Sequence, residues 1–203
     1  MKKEDLFKNS YVISLPHRFD RRQNMEKELS KYKIFYNFFD AVNGQELDYT
    51  GPLLKGEEGI RQSHLALLKQ AKADDLDYIF VLEDDVVLCE NFTSSLNNIL
   101  ENSPGFDILY LGGAHKWPPV KYNQYLWKIF NTVTLHAVII KKSIYSELIN
   151  TIENNPDIPV DDAYALLQPN NKAYCSILPL AWQKDDYSDI QNKFVKYDWL
   201  KPQ

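Results

Sequence analysis

The stretch "DYIFVLEDDVVL", residues 77–88, decides how this chain is read. Tyr78, Ile79, Phe80, Val81 and Leu82 form a short apolar run rich in β-branched and aromatic residues, the pattern of a buried strand. Glu83, Asp84 and Asp85 then place a cluster of negative charge at its end, before Val86, Val87 and Leu88 turn apolar again. Burying unpaired carboxylates is costly, and crowding them raises their pKa values. A divalent cation removes that penalty. In an extended chain alternate residues share a face, so Glu83 and Asp85 project together and Asp84 points elsewhere. Two carboxylates on one side make a partial shell for Mn²⁺ or Mg²⁺, hard cations that leave positions open for phosphate and water. Asp84 is then placed to accept hydrogen bonds from backbone groups or a ribose hydroxyl. An isolated acidic triplet is often an inert, solvated turn. Here the strongly apolar strand before it, the apolar residues after it and the later acidic clusters weigh against that.

Working outward, apolar and acid-tipped segments alternate. "YVISL" (11–15) reads as a first buried strand ended by Pro16, and "DRRQNMEKELSKYK" (20–33) as a helix with Asp20 as N-cap. "IFYNFFDAV" reads as a second strand closing at Asp40, and "GEEGIRQSHLALLKQAKADD" (56–75) as a long helix with acids at its positive end. After the acidic strand come the helix "FTSSLNNILEN" and the strand "FDILYLGG". The segment "AHKWPPVKYNQYLWKIFN" (114–131) has no clean period. "TVTLHAVIIKK" restores a strand, "SIYSELINTIEN" and "VDDAYALLQ" are helical, and "AYCSILP" is a late strand before the polar "QKDDYSDIQNK". This alternation predicts one α/β domain, residues 1–203, with helices around a mainly parallel sheet. Ligands of such sheets bind beyond the carboxyl ends of the strands, where the acids of "LEDD" sit.

Bulk properties narrow the function. The 203 residues carry a net charge of −5 with a pI near 5.4, which argues against a nucleic-acid partner. Aromatics make up 13%, suited to sugar or ring-shaped ligands as well as to a core. Cys89 and Cys175 read as two packed, reduced thiols rather than a disulfide framework. No apolar run approaches the ~20 residues of a spanning helix, and "MKKEDLFKNS" lacks the apolar region of a signal peptide. The expectation is a soluble, cytoplasmic protein, with peripheral membrane contact through "KKEDLFK" weakened by its acids.

Together, "YVISLPHRFDRR", "FFDAVNG", "GEEGIRQSHLALLKQA" and "DYIFVLEDDVVL" resemble glycosyltransferase family 25, which includes bacterial lipooligosaccharide galactosyltransferases and animal collagen galactosyltransferases. "LHAVIIKKSI", "IPVDDAYALL" and "SDI" continue the resemblance in order, from about Asn9 to Gln191. It implies a GT-A fold, a single Rossmann-like domain for a nucleotide-sugar, and a metal-dependent inverting transfer of a hexose from a UDP-sugar to a glycan acceptor. Galactose is favoured, with UDP-glucose and UDP-N-acetylglucosamine close behind. Under that resemblance Glu83 and Asp85 hold Mn²⁺ (or Mg²⁺) against the diphosphate, and Asp189 adds a further ligand or a donor contact. Leu15, Pro16, Arg21 and Asp40 form the donor floor with Asp84. Ser63 and His64 lie near the donor sugar, and Gln183 orients a sugar hydroxyl. Asp161 or Asp162 is the base, with Asp161 preferred because the resemblance centres on "PVD". Trp117, Tyr122, Tyr125 and Trp127 stack on an acceptor sugar, form a lid, or pack onto the core.

A receiver-like domain places its acidic pair after the first strand, whereas about 80 residues precede this one. A haloacid-dehalogenase-type phosphatase needs an Asp where Glu83 stands. The stronger rival is a catalytically silent nucleotide-sugar or glycan-binding domain with the same fold.

Overall fold

The computed structural model describes residues 3–191 and 193–201. In chain order its elements are α1 (Lys3–Phe7), β1 (Ser10–Ser14), α2 (Phe19–Ser30), β2 (Asn37–Asp40), α3 (Lys55–Ala73), β3 (Tyr78–Glu83) and β4 (Val86–Leu88). Then follow α4 (Phe92–Asn102), β5 (Ile108–Tyr110), β6 (Ala114–His115), β7 (Val120–Lys121), β8 (Leu126–Lys128), β9 (Thr132–Val133) and β10 (Ala137–Lys141). The chain closes with α5 (Tyr145–Asn154), α6 (Val160–Leu167), β11 (Ala173–Ser176), β12 (Ala181–Gln183), β13 (Asp186–Ser188) and β14 (Lys193–Val195).

Eight strands form the central sheet in the order β2-β1-β3-β10-β5-β11-β8-β7. β2, β1 and β3 are mutually parallel, so their carboxyl ends meet at one edge. β10 enters antiparallel between β3 and β5, and β8 runs against β11. The sheet is mixed α/β and mainly parallel, as its alternating sequence predicts.

Residues 79–82 of β3 are buried on both faces by strict alternation. Phe80 and Leu82 pack with Met25 and Leu29 of α2 and Phe92, Leu96 and Ile99 of α4. Ile79 and Val81 face the other way, against Leu67, Leu68 and Ala71 of α3, Leu148 and Ile152 of α5, and Ala163 and Tyr164 of α6. A strand covered on two sides reads as a continuous apolar run rather than an alternating one.

Some local expectations change. Asp20 is not the N-cap of α2: Arg18 occupies that position, and Asp20 sits in the first turn, ion-paired to Arg18. The run 132–142 is not one strand but two, β9 and β10, broken at Thr134, whose φ is +73°. The aperiodic 114–131 segment contributes β6, β7 and β8, strands too short to carry a period. Tyr125 packs on the core, Trp127 is half-buried, and Trp117 and Tyr122 are exposed. None of these four aromatics forms part of the cavity described next.

Candidate active site

At the carboxyl edge of β1, β2 and β3 lies a cavity of about 960 Å³. Its floor is Ile13 and Ser14 at the end of β1, Leu15 just after it, and Ala41–Gln45 after β2. Gly56, Glu57 and Ile60 of α3 form one wall, the β13–β14 hairpin another, and Glu83–Asp85 and Asp161 close the centre.

Glu83 is fixed by its own backbone N–H, which donates to the carbonyl of His136 just before β10 at 3.0 Å. The turn into β4 then parts the acids. Gln183 at the end of β12 donates Nε2 to Glu83 Oε2 at 3.1 Å and to Asp85 Oδ2 at 3.5 Å, so one amide gathers those two carboxylates. Asp84 faces away from that amide: Ser14 Oγ donates to its Oδ2 at 2.6 Å and Arg21 Nη1 to its Oδ1 at 2.7 Å. Arg21 also donates Nη2 to the carbonyl of Tyr187 at 2.6 Å, tying the β13–β14 hairpin to the acidic turn.

Burial drives the electrostatics. It holds Glu83 well above the usual glutamate range, with the charges of Asp85, Asp161 and Asp84 adding to the effect. It pushes Asp85 up to about 6 against the opposing pull of Arg21. Asp161, in the first turn of α6, is likewise pushed up to about 6 by burial, while the Thr134 N–H that donates to its Oδ2 at 2.9 Å pulls it back. A cavity lined by desolvated carboxyls near neutral pKa has the signature of a functional site.

The other predicted residues sort by distance from this centre. Asp162 is outside the cavity wall and ion-pairs with Lys116, so of the two acids Asp161 alone faces the cavity. Leu15 lines the floor; Pro16 and Asp40 do not, and Asp40 pairs with Arg22 at a largely exposed position. Ser63 is buried inside α3, donating to Gly59 O at 2.7 Å and accepting the Val42 N–H at 2.9 Å. It therefore shapes the floor from behind. His64 is also buried away from the cavity, its Nδ1 3.2 Å from the hydroxyl of Tyr164, and burial lowers its pKa to about 4. Gln183 serves the acid pair. Asp189 lines the cavity on the hairpin but is ion-paired to Arg18, and among the described residues no three His, Cys, Asp or Glu side chains converge to hold a metal.

Several wall residues carry no chemical signature in the sequence. Ser14, Asn43, Gln45 and Thr134 look like ordinary strand and loop residues there. The glycines of "GEEG" are the signal that was available: a Cβ on Gly56 would come 2.5 Å from Ile190 Cα, and one on Gly59 2.7 Å from Val42 O. Both let backbone from the cavity wall pack directly on α3.

Residues 7–166 match the model of glycosyltransferase family 25 (LPS biosynthesis protein). The chain belongs to glycosyltransferase family 25. Among its family 25 relatives, lipooligosaccharide biosynthesis protein lic2B of Haemophilus influenzae is 37% identical over 93 residues, 40% of this chain and 35% of that protein. Procollagen galactosyltransferase 1-A of Xenopus laevis is 30% identical over 129 residues, 52% of this chain and 21% of that protein. Inactive glycosyltransferase 25 family member 3 of Homo sapiens is 32% identical over the same length, 22% of that protein. The matches thus span about a third or less of these relatives. In fold, this family 25 chain resembles the crystal structure of A197 from STIV, at a TM-score of 0.50 and 16% identity over 96% of this chain and 93% of that one. Gln183 and Asp189 fall beyond the family match, which ends at residue 166. No helix among the described residues is long and apolar enough to cross a membrane.

Proposed function

We propose that this chain is a metal-dependent, inverting glycosyltransferase that moves a hexose, galactose favoured, from a UDP-sugar to a hydroxyl of a glycan acceptor such as a lipooligosaccharide. The observation that carries the reading is the pair Glu83 and Asp85, partly buried in the cavity and gathered by the Gln183 amide, with Asp161 lining the same cavity.

The pair fits a hard divalent cation. Asp85 Oδ1 is buried and accepts no hydrogen bond among the described residues, and its desolvation is offset only in part by the charge of Arg21, 3.9 Å from Oδ2. Glu83 and Asp85 would hold Mn²⁺ or Mg²⁺, leaving the remaining positions to diphosphate and water. A cation there offsets the charge of the departing diphosphate. Arg21 and Gln183 keep the two carboxylates in register, and Asp84, anchored by Ser14 and Arg21, fixes the turn. Leu15 and the 41–45 loop frame the nucleoside, and Asp189 on the hairpin is a donor contact. Asp161 accepts the proton of the acceptor hydroxyl as its oxygen bonds to the anomeric carbon. The bond from that carbon to the diphosphate oxygen breaks on the opposite face, and its electron pair leaves with the diphosphate. A base with a pKa of about 6 is ionised at neutral pH yet still basic enough for this task.

The relatives called inactive favour a second reading, a domain that binds nucleotide-sugar without transferring it. Calorimetry with UDP, GDP and CMP, each with Mn²⁺, with EDTA and against Asp85→Ala, tests the site. UDP binding that needs Mn²⁺ and is lost in the variant supports it; binding indifferent to both removes the metal assignment. Release of UDP from UDP-hexoses then separates transferase from silent domain.

A further inference from the structure

Thr134 is a β-branched residue at φ +73°, in the left-handed region such side chains rarely occupy. Its hydroxyl is buried and has no hydrogen-bond partner among the described residues, a second local cost. Strain of this kind persists where surrounding contacts over-determine it, and it collects at functional sites. Here the contacts are specific. Gln168, fully buried at the C-terminal end of α6, accepts the Thr132 N–H at 2.7 Å and donates to the Thr132 carbonyl at 2.7 Å and to Tyr110 Oη at 3.1 Å. At the other end of α6, Asp161 accepts the Thr134 N–H at 2.9 Å. One short helix therefore grips the 132–134 segment at both ends, and the strained residue is the one that reaches the cavity.

We infer that the Thr134 peptide is a positioning group: the Gln168 clamp on Thr132 holds the segment that carries the Thr134 N–H, this N–H fixes Asp161 toward the cavity, and the positive φ turns the chain from there into β10. The inference rests on the reading of Asp161 as the base. The groups coupled by charge to Asp161 are Asp162 beside it, Lys116, Glu57 of α3, Glu83 of β3, and the hydroxyls of Tyr110 of β5 and Tyr164 of α6, which its charge keeps protonated. The Thr134 N–H opposes the acidic ones among them.

The test compares the wild-type chain with Gln168→Leu, Thr134→Gly and the double variant. Readouts are the thermal melt, UDP affinity in Mn²⁺, and the rate and pH profile of UDP release from UDP-galactose, UDP-glucose and UDP-N-acetylglucosamine. Gln168→Leu frees the 132–134 segment, and a threonine at 134 then leaves the positive φ it disfavours. Its kcat is expected to fall about tenfold, the scale of one lost hydrogen bond to a charged group, with the acid limb of its profile moved up, a lower melt and UDP affinity within about twofold. Glycine adopts the positive φ without strain, so Thr134→Gly is expected to melt at or above wild type, and the double variant to recover at least half of the rate lost in Gln168→Leu. A merely structural clamp would lower the melt of Gln168→Leu with no shift of its pH profile. Wild-type kcat and pH profile in Gln168→Leu overturn the inference while leaving the site reading intact. A wild-type chain that neither binds UDP nor releases it from any of the three donors overturns both.

Discussion

Arg21 Nη1 lies 2.7 Å from Asp84 Oδ1, with the two side chains only 9% and 11% exposed. The same guanidinium stands 3.9 Å from Asp85 and 3.7 Å from Asp186, and it is the main positive charge set against the acidic turn. Its role is to make a concentration of buried carboxylate tolerable and to bind the β13–β14 hairpin to it.

Removing that cation leaves carboxylates buried and uncompensated. Arg21→Met keeps much of the packing and is expected to cost about 3–5 kcal/mol, read by urea unfolding in EDTA. If Glu83 and Asp85 take a divalent cation, millimolar Mn²⁺ recovers part of that loss in the variant. No recovery would count against a cation at that pair.

Asp161 links pH to stability with a definite sign. Its folded pKa of about 6 lies above the ordinary value of 3.8, because burial penalises the charged form. Between those values the folded chain holds a proton that the unfolded chain has released, so stability falls as pH rises from about 4 to about 6 and then levels. Asp85 contributes with the same sign. Asp161→Asn keeps an acceptor for the Thr134 N–H and removes the ionisation. At pH 7 it is expected to be more stable than wild type by about 2–3 kcal/mol and slower in sugar transfer by at least about 10²-fold. Equal stability of variant and wild type across pH 4–7 would refute the desolvated carboxylate.

Gly59 tests the wall behind the cavity floor. In an exposed helix Gly→Ala stabilises by about 1 kcal/mol. Here the new Cβ would meet Val42 O at 2.7 Å and Gly44 N at 2.8 Å, both backbone. The 41–45 loop must shift, so Gly59→Ala is expected to lower the melting temperature and weaken UDP binding together. A higher melt with unchanged affinity would show that the loop yields freely.

The local code of this protein carried far. The run 78–82 had to be a strand buried on two faces, since five successive apolar residues leave neither side for water. The alternation of such runs with amphipathic helices required a layered α/β domain, and period two grouped Glu83 with Asp85 apart from Asp84, a grouping that the turn at Asp84 and Asp85 produces in the structure. Polarity and period are properties of neighbours in the chain, so sequence suffices for them. It could not separate Asp161 from Asp162, adjacent acids in one helical turn; Lys116, 46 residues away, claims the second, and the Thr134 N–H claims the first. Nor could it reveal that Ser63 and His64 point into the core, that Asp189 rests on Arg18, or that an unremarkable Thr134 lies at positive φ. Those outcomes depend on which distant backbone N–H groups and charges arrive beside a side chain, and only the packed tertiary structure decides that.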